Sequence, residues 1–111
     1  MKKMICLAAG FLAVLLSAPQ TTLAHKVNLF AYADAGKIFT ESYFSDGKFI
    51  AGGKMMVYDS QNRLILEGVT DDQGRFSFDI PQVDDLTLVV DAGMGHKNRF
   101  VLKKADVEAG R

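Results

Sequence analysis

From Lys26 onward, apolar and polar residues alternate in short runs, a pattern that predicts strands rather than helices. Between Lys26 and Ala33, the residues Val27, Leu29, Ala31 and Ala33 share one face. Ala35-Gly36 turns the chain, and Lys37 to Phe44 forms a second strand. Ser45 to Gly53 reads as a loop, broken by Asp46-Gly47 and Gly52-Gly53. Lys54–Tyr58 and Arg63–Val69 follow as strands around a turn at Asp59-Ser60-Gln61-Asn62. Thr70 to Gly74 turns again, with Gly74 placed for a positive φ. Arg75 to Ile80 alternates most cleanly, with Phe76, Phe78 and Ile80 on the inner face and Arg75, Ser77 and Asp79 on the outer. Leu86–Asp91 and Lys97–Leu102 complete the series, separated by a loop at 92–96. About seven strands without helical crossovers predict an all-β, antiparallel, Ig-like sandwich over residues 25–104. The tail, residues 105–111 with Lys103 and Lys104 before it, has helical character but is too short to be a stable helix alone.

The first 24 residues carry a different pattern. Met1-Lys2-Lys3 precedes an apolar stretch from Met4 to Leu16, and small residues lead to Ala24. This order matches a secretory signal peptide, residues 1–24, cleaved after Ala24. Cleavage after Ala18 is disfavoured because Pro19 would follow the cut. The apolar stretch is shorter than the roughly 18 residues of a membrane span. Cys6 would leave with the signal, so the exported chain starts at His25 and has no cysteine. A periplasmic or extracytoplasmic location follows from this reading.

Composition narrows the choices further. The 111 residues are 49% apolar, and 13 basic residues balance 13 acidic ones, giving zero formal charge. A nucleic-acid binder needs a basic excess, so none is expected as partner. A disulfide scaffold and a thiolate zinc site are excluded by the single Cys. Neither a dinucleotide fingerprint nor a phosphate loop is present. No Ser-His-Asp or Cys-His arrangement can be assembled, and the chain is expected not to be an enzyme.

Two histidines carry the candidate chemistry. His25 as first residue would offer its free amine and its ring nitrogen to one metal ion. His96 closes the loop Asp91-Ala92-Gly93-Met94-Gly95-His96. Strands that alternate in direction return to the starting end at the loops 45–53, 70–74 and 92–96, so the chain start and His96 are expected to share that end. Amine and imidazole nitrogens suit Ni, Co, Cu and Zn. The amine, with a reference pKa of about 7.7–8.0, must first lose its proton, so binding should weaken at mildly acidic pH. Asp46 and Asp91 lie at the same end as outer-shell oxygens. Met94 is a soft ligand in principle, although a Met at a sandwich end more often fills a gap in packing. The rival reading makes His25 and His96 ordinary surface residues. Asp71-Asp72-Gln73-Gly74 reads as a turn rather than a calcium loop, and Asp84-Asp85 as a solvated turn. Phe39, Tyr43 and Phe44 are expected in the core.

The run Ala24-His25-Lys26-Val27 and the run Val90-Asp91-Ala92-Gly93-Met94-Gly95-His96 resemble the small extracytoplasmic subunit of energy-coupling-factor-type nickel/cobalt uptake systems. So do Thr40 to Lys48, Gly52-Gly53-Lys54 and Val57-Tyr58-Asp59. The stretch Thr70-Asp71-Asp72-Gln73-Gly74-Arg75-Phe76 is also similar to carboxypeptidase-regulatory-like, transthyretin (prealbumin)-type sandwich modules. The resemblance covers about residues 24–104. It implies a periplasmic accessory component that binds Ni²⁺ or Co²⁺ and hands it to a membrane permease served by an ATPase, with His25 and His96 as metal positions. Members of that family often continue into a helical spacer and a C-terminal transmembrane helix; the sequence here stops at Arg111, and after signal cleavage the chain is expected not to span the membrane itself. The alternatives are a metal-free interaction module and, less favoured, a copper enzyme held by the two histidines.

Overall fold

The alternation seen in the sequence becomes strands over residues 26–111, the part that the computed structural model describes. In chain order these are β1 (Val27–Asp34), β2 (Lys37–Phe44), β3 (Lys54–Tyr58), β4 (Leu64–Val69), β5 (Arg75–Asp79), β6 (Leu86–Asp91) and β7 (Lys97–Leu102), followed by α1 (Lys104–Ala109). The expected strand limits hold to within a residue. The signal-peptide reading of residues 1–24 lies outside the described residues, as does His25.

The strands form two antiparallel sheets, one ordered β1-β2-β5 and the other β4-β3-β6-β7. Their inner faces meet in an all-β, sandwich-like body. β3 and β6 supply the centre of the core: Met55, Val57, Leu86, Leu88 and Val90 are all fully buried. From the other sheet Val27, Leu29, Ala31, Ile38 and Phe78 face them.

The turns follow from local chemistry. Ala35 and Gly36 both take positive φ, 50° and 81°, the geometry that joins two strands by two residues without splaying them. A second turn design occurs twice. Asp59 Oδ1 accepts the N–H groups of Gln61 and Arg63, both at 2.9 Å. Asp71 Oδ1 accepts those of Gln73 and Arg75 at 2.8 and 2.9 Å. Each turn has a left-handed residue in fourth place, Asn62 at φ 60° and Gly74 at φ 72°. Both Asp side chains are therefore committed to their own turns.

Two expectations are corrected here. Phe39 and Tyr43 do not enter the core: Phe39 is half-buried, and Tyr43 is 41% exposed. Along β2 the inward positions are Ile38, Thr40 and Ser42, all buried. The two hydroxyls are tolerated inside because Thr40 Oγ1 donates to the Phe76 carbonyl at 2.9 Å and Ser42 Oγ to that of Gly74 at 3.0 Å. Phe44 alone of the three aromatics packs against the core. The Asp84-Asp85 turn is likewise more than solvated. Asp84 Oδ2 accepts the Ser60 N–H at 3.0 Å, and Asp85 Oδ1 accepts the Lys104 N–H at 2.7 Å, placing a carboxylate at the start of α1.

The short helix is held by tertiary contacts. Val107 is fully buried. The Gly36 N–H donates to the Gly110 carbonyl at 2.9 Å. Gly110 lies so close to Ala33 that a Cβ there would collide with the β1 backbone. Among the described residues no helix is long and apolar enough to cross a membrane.

Candidate functional site

The loops expected at one end are linked to one another there. The Ser45 N–H donates to the Lys26 carbonyl at 3.0 Å. The Gly52 N–H donates to the Thr70 carbonyl at 3.0 Å, and the Thr70 N–H to that of Gly53 at 2.9 Å. The ring of Phe44, next to Ser45, meets the His96 ring edge to face, with centroids 6.1 Å apart and planes at 79°. Asn98 Nδ2 donates to the Val27 carbonyl at 2.7 Å, tying β7 directly to the start of β1. The first described residue, Lys26, and the half-buried His96 thus share an end of the sandwich.

The remaining expected site residues divide. Asp91 is engaged locally, its Oδ1 accepting the Gly93 N–H at 2.8 Å and its Oδ2 standing 3.6 Å from Lys97 Nζ. Asp46 Oδ1 accepts the Lys48 N–H at 3.0 Å. Both carboxylates shape their own loops. Met94 is 98% exposed, which corrects the gap-filling reading: the turn at Gly93–His96 throws its side chain clear of the core. Among the described residues no three His, Cys, Asp or Glu side chains gather around one position. Of the two histidines expected at the site, His96 is the one that lies among the described residues.

The pKa directions belong to the turns rather than to this end as a whole. Asp71 is held below the usual carboxylate range, chiefly by the Arg75 N–H and then by that of Gln73, with burial opposing. Asp59 is lowered chiefly by the Arg63 N–H, and Asp84 by the Ser60 N–H. In each case the backbone donors favour the charged form.

A second surface was not singled out from the sequence. The outward positions of the three-stranded sheet carry Phe30, Tyr32 and Tyr43, with Phe49 bridged to Tyr43, and these are 49%, 43%, 41% and 58% exposed. Tyr32 stacks on its cross-strand partner Phe39 at 5.3 Å. Beside them a surface groove of 660 Å³ is lined by Tyr32, Phe39, Glu41, Asp71 and Arg75. The signal was available: in Val27–Asp34 the aromatic residues occupy the alternate positions to the aliphatic ones. Exposed apolar patches of this kind mark contact surfaces. Comparison of the chain with protein-family models, curated proteins and solved structures gave no match in any of the three.

Proposed function

We propose that this chain is an exported, non-enzymatic β-sandwich that captures Ni²⁺ or Co²⁺ at one end and hands the ion to a membrane permease driven by an ATPase. We read the sandwich as transthyretin-type, with residues 1–24 as its export signal. The ion is cargo. His25 would hold it through its amine and ring, and His96 through its ring. The observation that supports this reading is the meeting of Lys26, Phe44-Ser45 and His96 at a single end, because Lys26 directly follows the proposed chelating residue. Asp46 and Asp91 would act only through water, since their loops already use them.

The test is calorimetry with Ni²⁺ on protein processed to start at His25. Strong binding by that form and at least tenfold weaker binding when one residue precedes His25 supports the chelate. Equal binding by both forms would falsify it.

One observation favours a second reading, a metal-free interaction module. It is the exposed aromatic face of the three-stranded sheet. That reading expects no Ni²⁺ heat and full function in a His25→Ala, His96→Ala double variant.

A further inference from the structure

The loop between β6 and β7 holds one residue that neither packing nor backbone preference explains. Gly93, Met94 and Gly95 have φ values of 88°, 53° and 81°, three consecutive residues in the left-handed region. The His96 N–H donates to the Gly93 carbonyl at 2.9 Å, closing a tight turn whose central residues are Met94 and Gly95. Two positive φ values at those positions define a turn that favours Asn, Asp or Gly. A methionine is disfavoured there by its Cβ, and at 98% exposure it gains nothing from burial. Nor is it exposed through looseness. The Ala92 N–H donates to the His96 carbonyl at 2.8 Å, and the Gly93 N–H to Asp91 Oδ1 at 2.8 Å. Asp91 in turn pairs with Lys97 at 3.6 Å. The loop is built to hold Met94 outward, and a backbone outlier of this kind points toward function.

His96 stands two residues further on, with its Cα at most about 7.6 Å from that of Met94. Its ring rests against Phe44, while the unbranched Met94 side chain can sweep its sulfur across the intervening space. We infer that the Met94 thioether and the His96 imidazole form a two-point hook for a soft monovalent cation, Cu(I). Thioether sulfur selects Cu(I) over harder divalent ions, and imidazole suits it as well. The ion binds and leaves as Cu(I), so no electron is transferred. The hook shares His96 with the proposed Ni²⁺/Co²⁺ chelate but needs neither the amine nor the ring of His25. The two ions would compete for one imidazole.

The experiment is a titration of the chain starting at His25 with Ag(I), the redox-inert analogue of Cu(I), followed by NMR of methionine methyl and histidine ring signals. The Met94 methyl and the His96 ring should move together and saturate at one equivalent. Met55 is fully buried and Met56 half-buried, and both should stay still. Met94→Leu and His96→Gln should each weaken Ag(I) at least tenfold. Met94→Asn, which suits the turn better, should do so while leaving the melting temperature unchanged or raised, which separates ligand loss from unfolding. A Met94 methyl that does not respond to excess Ag(I), or Met94→Leu binding as the parent does, overturns the hook. An extra residue before His25 should lower Ni²⁺ affinity and leave Ag(I) affinity intact. Loss of Ag(I) affinity in that form overturns the independence of the hook from the chain start.

Discussion

Phe44 and His96 touch edge to face across the gap between the two sheets, one at the end of β2 and the other in the β6–β7 loop. The contact limits how far the His96 ring can turn. Phe44 also packs against the core, so Phe44→Ala should lower stability by about 2 kcal/mol, short of the roughly 3–5 kcal/mol typical of a fully buried ring. Urea denaturation measures the loss. Amide exchange at residues 92–96 should quicken in the same variant, and an unchanged exchange pattern would show that Phe44 does not brace the loop.

Gly68 in β4 lies beneath the ring of Phe76 in β5, with no room for a Cβ between them. Gly68→Ala should therefore cost about 1–3 kcal/mol through overpacking. Adding Phe76→Leu should recover part of it. If the single variant melts like the parent, Phe76 does not close over Gly68 tightly enough to exclude a methyl group.

Asp59 gives the fold a pH dependence with a definite sign. The residue is only 4% exposed, and its carboxylate accepts three hydrogen bonds, two from backbone N–H groups and one from Arg63 Nε. Its pKa in the fold is lowered, mainly by the Arg63 N–H. On acidification the unfolded chain therefore takes up the proton first. The stabilisation is complete above the unfolded value of about 3.9 and is lost as the pH falls through the folded value. Asp71 and Asp84 act in the same direction. Melting temperature should hold level with respect to these groups from pH 7 to 5 and drop below about pH 4. Asp59→Asn should melt lower at pH 7 and decline less steeply in acid. A parallel decline would remove Asp59 from this account.

The terminal helix should behave as part of the body. Val107→Ala removes two fully buried methyl groups and should cost about 1–2 kcal/mol. Loss of α1 signal in circular dichroism before the main thermal transition would mean that the helix is not coupled to the sheets.

Most of the architecture was legible because period-two alternation and turn residues act locally. The hairpin at Ala35-Gly36 and the left-handed Gly74 are examples. The orientation of β2 was harder to read. Its two faces, Ile38-Thr40-Ser42 and Phe39-Glu41-Tyr43, are similar in apolar content, and hydroxyls were admitted to the core only because carbonyls of β5 and its preceding turn wait for them. Side-chain chemistry alone cannot reveal a partner contributed 32 or 36 residues away. The exposure of Met94 was hidden for a related reason, since it depends on three successive positive φ values and not on residue type. The end shared by Lys26 and His96, in contrast, followed from counting strand reversals.

Strand β1 belongs to one sheet and the β6–β7 hairpin to the other; across that seam the Asn98 side-chain amide meets the Val27 carbonyl, and Phe30 meets Phe100 edge to face, as Phe44 does His96. An ion gripped by both the chain start and His96 would rivet the halves together. Its occupancy would then register as resistance to heat, rising with free-ion concentration by mass action, and delivery of the cargo would leave a softer molecule behind.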